Sequence, residues 1–170
     1  IPFEINETQQ FDFIVNGNIA IHKNAEYTDF AIKRFFDEAK KEPWFDNTIF
    51  VMVADHCNQI YYDEYQKPIN RFAVPILIYQ PNSKYVGVDD DFAQQIDIFP
   101  TICEIIGAEI PMGVQGRSLW PLLQGKEYPE KEFRSVMAQD GFGGMYYTKV
   151  DATDYREEGA VGKKGLFFDE

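Results

Sequence analysis

The sequence has no run of basic residues, two cysteines and two histidines, and each shortage removes a class of function. With a net charge of −12, the chain lacks the positive surface that nucleic-acid phosphates or anionic lipid headgroups attract. Nucleic acid is therefore excluded as a partner, and an anionic substrate would need a metal or a local basic pocket. Cys57 and Cys103 make neither a disulfide framework nor a thiolate metal cage. No apolar stretch reaches the roughly 18–20 residues of a membrane helix, and no secretory leader is recognisable. The chain opens on Ile1 and its first methionine is Met52, which sets the expectation of further sequence upstream.

What is present suits a folded domain. The 170 residues are 45% hydrophobic and include 15 Phe and 10 Tyr, enough for one core with a large aromatic share. After a lead-in without sustained period, residues 19–41 carry the strongest helical pattern. Ile21, Ala25, Thr28, Ile32, Phe35 or Phe36, and Ala39 recur at three- and four-residue spacing, with charged residues opposite and Pro43 as the stop. His22 lies beside that stripe and reads as a flank residue rather than a ligand.

The stretch from Asn47 to His56 organises the rest. A turn residue leads into Thr48-Ile49-Phe50-Val51-Met52-Val53, a short and β-branched apolar run that fits a strand buried on both faces of a parallel or mixed sheet. The run ends in Asp55-His56. Sites in open α/β sheets lie at the carboxyl ends of strands, and a carboxylate oxygen next to a neutral imidazole nitrogen is a ligand pair for a divalent metal. An Asp capping the next turn beside a structural His is the bland alternative. Helix, tight link and strand together read as one αβ unit of a layered sheet.

Beyond His56, residues 58–70 are polar and rich in tyrosine, as in a loop at the functional edge of a sheet. Val74 to Tyr79 reads as a second strand, with Pro75 at its start or near an edge. Asp97 to Ile106 reads as a helix with Asp97 as cap, Pro100 in the first turn, a buried face of Ile98, Ile102, Ile105 and Ile106, and Gly107 as its end. Phe133 to Gln139 reads as a third strand. The last thirty residues show no period. Cys103 reads as a small core residue. Cys57, next to His56, is a weaker candidate for a reactive thiol.

Four segments, in order, resemble one family. The run YTDFAIKRFFDEAKKEPWFDNTIFVMVADH, from Tyr27 to His56, resembles the late catalytic region of the sulfatase and alkaline-phosphatase superfamily. Within it the run is closest to lipoteichoic-acid-synthase-like phosphoglycerol transferases. RFAVPILIYQP and AQQIDIFPTICEIIG resemble the strand and helix that follow there, and VQGRSLWPLLQG is similar to a segment of sulfatases proper. The resemblance implies an α/β fold, a layered α/β/α sandwich of the alkaline-phosphatase-like type, incomplete in this chain. It divides the chain into a lead-in (1–20), a core matching the family (21–125) and an unassigned tail (126–170), all as the carboxyl-terminal portion of a catalytic domain.

By the same resemblance, Asp55 and His56 are two ligands of one divalent metal (Mn, Mg, Ca or Zn). The remaining ligands, an acidic residue and the Thr, Ser or formylglycine nucleophile, belong to a missing upstream half. Asn58 and Arg71 are candidates for the substrate side, with a turn amide and a surface charge as alternative readings. Cys57 departs from the glycine found in many relatives. The implied reaction is displacement at phosphorus or sulfur of a phosphate or sulfate ester, through a covalent intermediate resolved by water or an alcohol. The implied location is extracytoplasmic, tethered through a missing amino-terminal segment. A non-catalytic binding module of the same shape, and an unrelated α/β domain with a structural Asp-His, are the competing readings.

Overall fold

The structure, a computed structural model, describes residues 20–57, 63–89, 91–126, 133–139, 142 and 144–151. The chain divides into two compact units between Thr48 and Ile49.

In the first unit, helix α1 spans Ala20–Ala39. Its last turn tightens, with Lys41 N–H donating to Glu38 O and Glu42 N–H to Ala39 O at 3.0 Å each, and Pro43 follows where the helix cannot continue. The apolar stripe resolves in favour of Phe36. Its ring stands edge-on to the buried Phe45, with centroids 6.4 Å apart, whereas Phe35 is 52% exposed. Ala39 is buried and Ile32 half-buried, but Ala25 is exposed, so the stripe is narrower than the spacing predicts.

In the second unit, β1 (Phe50–Val53) pairs with β2 (Ile76–Tyr79) in the register Phe50↔Tyr79 to Val53↔Ile76. The pair is antiparallel, not parallel. A parallel neighbour needs a crossover, usually helical, and the described part of the connection holds two short 3-10 turns, Asp63–Gln66 and Asn70–Phe72, before the chain returns. Pro75 sits just outside β2, where its missing N–H costs no ladder bond. The strands are not buried on both faces here: they are mostly half-buried and Val53 is 41% exposed. Among the described residues the two strands have no further neighbour at either outer edge, and two strands cannot enclose a core alone.

A 3-10 turn, Gln95–Asp97, runs directly into α2 (Ile98–Ile106). Asp97 does not cap α2 through its side chain. Its carboxylate instead accepts from Gln94 N–H one turn earlier and is turned into the core. Gly107 ends α2 at φ 70°, with Ala108 N–H donating to Cys103 O and Gly107 N–H to Glu104 O, the paired bonds of a Schellman end that favours glycine. The buried side of α2 is Pro100, Thr101 and Cys103. Ile98, Ile102 and Ile105 are half-buried and Ile106 is 62% exposed, so the expected isoleucine face is only partly covered.

The short α3 (Trp120–Leu123) carries Pro121 in its first turn and buries Leu122. β3 (Phe133–Gln139) forms an antiparallel pair with β4 (Met145–Asp151), and β4 falls in the stretch whose sequence shows no period. β3 alternates as an amphipathic strand should: Arg134, Val136 and Ala138 are buried and Ser135 is exposed. Helices and antiparallel strand pairs together make an α/β arrangement among the described residues.

Candidate functional site

The β1–β2 ladder ends at Val53↔Ile76, and the chain then turns at Asp55 and His56. Both side chains are open to solvent, 88% and 71% exposed, and they converge: Asp55 Oδ2 lies 3.5 Å from His56 Nε2. The local backbone imposes that convergence. His56 N–H donates to Asp55 Oδ1 at 3.0 Å, folding the carboxylate back over the next residue, as a short Asp side chain readily does. His56 Nδ1 lies 2.7 Å from Cys57 O. A carbonyl only accepts, so Nδ1 carries the proton and, in the neutral ring, Nε2 presents its lone pair toward the carboxylate.

This donor set fits a divalent metal. Two ligand atoms bound to one ion at about 2.0–2.2 Å stand roughly 3.0–3.5 Å apart at ordinary bond angles. The Nδ1–H to carbonyl bond is also the orienting contact typical of metal-binding histidines. Among the described residues, no group of three or more His, Cys, Asp or Glu side chains gathers into a metal-holding cluster.

Neighbouring candidates fall differently. Cys57 is half-buried and its thiol donates to Ala73 O at 2.7 Å. Burial pushes the thiol pKa up, away from a nucleophilic thiolate. Arg71 is half-buried on the 3-10 turn Asn70–Phe72, and its backbone N–H donates to Lys67 O at 3.3 Å. Asn58 lies outside the described residues. Cys103 is buried in α2 and, like Cys57, is a free thiol. A cleft of about 700 Å³ lined by Tyr79, Asn82, Tyr85 and Trp120 opens at the far end of β2 from Asp55.

Sequence reasoning missed a buried node beside this edge. Asp97, fully buried, accepts from Arg134 Nη1 and Nη2 at 2.7 and 2.6 Å, from Arg117 N–H at 2.9 Å and from Gln94 N–H at 2.8 Å. Thr101 Oγ1 donates to Asp97 O and accepts from Leu119 N–H at 2.8 Å. A Cβ on Gly116 would land on the carbonyl of Ile96, so the Gly116–Leu119 segment packs backbone to backbone against this turn. Arg117 Nη2 adds a bond to Phe92 O at 2.7 Å. Gln95, on the same turn, reaches back to the strand end: its Nε2 donates to Ala54 O at 2.6 Å and to Asp55 O at 3.2 Å. The Gly-Arg pair following a buried-helix pattern was the available signal.

The chain resembles known proteins in sequence and in fold, a partial α/β fold of the alkaline-phosphatase-like type that is incomplete relative to the full domain. The family described as Sulfatase matches residues 21–108, just over half of the chain. A multifunctional alkaline phosphatase superfamily protein, PehA, of Trinickia caryophylli is 30% identical over 105 residues, 58% of this chain and 20% of its own. An arylsulfatase of Clostridium perfringens is 26% identical over 132 residues, 73% of this chain and 27% of its own. A lipoteichoic acid synthase of Staphylococcus aureus is 23% identical over 116 residues, 62% of this chain and 18% of its own. The crystal structure of an alkaline phosphatase superfamily protein from Vibrio parahaemolyticus superposes with a TM-score of 0.55 at 23% identity, covering 95% of this chain and 47% of that one. The chain thus spans about a fifth to a quarter of the length of these curated relatives.

Proposed function

The chain belongs to the sulfatase family, and from that premise we propose that it is the carboxyl-terminal part of a metal-dependent enzyme that cleaves or transfers phosphate or sulfate esters. The observation that carries this reading is the convergence of Asp55 and His56 at the end of β1. Asp55 Oδ2 and His56 Nε2 would hold one divalent metal (Mn, Mg, Ca or Zn). When bound, the ion supplies positive charge that neutralises ester oxygens and lowers the pKa of a hydroxyl nucleophile. Asp55 gives the negative charge and His56 the oriented neutral nitrogen, its tautomer fixed by Cys57 O.

Other contributions are assigned to sequence beyond this chain. The nucleophile and the remaining ligands are of that kind, and the partial coverage of these relatives supports the division. Arg71 and Asn58 stand on the substrate side in this proposal, and an extracytoplasmic setting accords with the likeness to a lipoteichoic acid synthase. Among the described residues no helix is long and apolar enough to cross a membrane.

The test compares the full-length protein with this chain alone, using bis-(p-nitrophenyl) phosphate and p-nitrophenyl sulfate with supplied Mn²⁺. Turnover of one of the two is expected from the full-length protein only, removed by chelator, and reduced at least about 10–100-fold by His56→Ala or Asp55→Ala. Turnover that survives Asp55→Ala unchanged would refute the assignment of the site.

A further inference from the structure

We propose that Gln95 is a positioning residue for the Asp55–His56 pair: its side-chain amide fixes the backbone from which both candidate ligands project. The inference rests on the metal-site reading above. The β1–β2 ladder stops at Val53, so among the described residues strand pairing does not hold Ala54 and Asp55. Gln95, forty residues away, bonds the carbonyls of both, at 2.6 and 3.2 Å. Both acceptors are carbonyl oxygens, so the amide can face them only with its nitrogen, and its two N–H groups match the two acceptors. The Asp55 carbonyl belongs to the peptide that carries His56, so one amide restrains the main chain of both residues.

The other end of this restraint is rigid. Gln95 opens the turn whose third residue is Asp97, and Asp97 is held in the core by the Arg134 guanidinium and two backbone N–H groups. Gly116 presses against the Ile96 carbonyl between them. Gln95 itself is exposed, so its side chain contributes little burial. Two tertiary hydrogen bonds from an exposed glutamine to the carbonyls beside a ligand pair match the role of the outer groups that orient metal ligands, where small displacements cost affinity.

The experiment uses the full-length protein with Gln95→Met, an unbranched side chain of similar length that cannot donate, and Asp55→Ala beside it. Mn²⁺ affinity is measured by titration calorimetry, ligand geometry by the visible spectrum of the Co²⁺-loaded protein, and fold by the thermal midpoint without metal. Gln95→Met is expected to weaken Mn²⁺ binding about 10–100-fold and to alter the Co²⁺ band at saturation, with the metal-free thermal midpoint kept within a few degrees. Asp55→Ala is expected to lose binding. Wild-type affinity and spectrum in Gln95→Met, with binding lost in Asp55→Ala, overturns the role of Gln95 and leaves the site standing. An affinity loss that comes with a collapsed thermal midpoint and an unchanged Co²⁺ band overturns it too, as a purely structural effect. Full binding by Asp55→Ala overturns the site reading, and the role of Gln95 falls with it.

Discussion

Arg134→Met should destabilise the protein by about 3–5 kcal/mol, the usual cost of removing one partner of a buried ion pair. The structure explains why the cost sits in that range. Asp97 is fully buried and Arg134 is 5% exposed, so water cannot replace the lost guanidinium. Two charge-assisted bonds disappear, each worth about 1.5–3 kcal/mol, and among the described residues the carboxylate keeps the N–H groups of Gln94 and Arg117. Methionine fills much of the vacated length, which limits the cavity contribution. For a chain of this size, 1 kcal/mol moves the thermal midpoint by about 2–4 °C, so a fall of about 6–20 °C is expected. Urea unfolding followed by circular dichroism, with linear extrapolation, supplies the free energy. Asp97→Asn alone should also be costly, because it removes the buried carboxylate charge that the Arg134 guanidinium faces. The double variant should cost less than the sum by about 1–3 kcal/mol, because the two residues act as one unit. A loss below about 1 kcal/mol for Arg134→Met, or strict additivity in the cycle, would refute the view that this pair holds the turn.

Gly116→Ala should destabilise by about 1–3 kcal/mol or more, because the new methyl meets the backbone of Ile96 rather than a side chain that can swing away; an unchanged urea midpoint would contradict that close approach. Cys57 should react with iodoacetamide more slowly than a free thiol at pH 7, with its rate levelling off at a higher pH than a free thiol's, since burial raises its pKa and the thiol is bonded to Ala73 O. The folded thiol keeps its proton to higher pH than the unfolded one, so its stabilising contribution is complete below about pH 8.5 and is lost as pH rises through the folded value. Alkylation at pH 7 faster than a free thiol would contradict this.

The parts of the fold legible in the sequence are those whose cause is local. The apolar run ending in Asp55-His56 placed the candidate pair at a strand end, Gly107 marked the left-handed stop of α2, and Phe133 to Gln139 read as a strand over the span it adopts. Strand direction was not legible, because an apolar run has the same composition whichever way its neighbour runs; the return of the chain, with no crossover helix among the described residues, decides it. β4 escaped for a different reason. Its outward positions include Met145, 52% exposed, and Tyr147, 75% exposed, so apolar residues stand where alternation requires polar ones and the period disappears.

Asp97 shows how a local rule can be outweighed by tertiary partners. An acidic residue just before a helix reads as an N-cap, and nothing within one turn says otherwise. The competing claim comes from Arg134, 37 residues on, and from the Arg117 amide, brought close because Gly116 lets two backbones touch. Two bonds from a buried guanidinium exceed what a single cap offers, so the carboxylate turns inward. That inward turn leaves Gln95 on the outer side of the same 3-10 turn, facing the end of β1. The burial of one carboxylate therefore sets the position of an exposed amide at the candidate site. Hydrogen bonds and a close backbone approach thereby tie the turn before α2 to the segment from Gly116 to Leu119, although each alone reads as an ordinary helix entry and an ordinary loop.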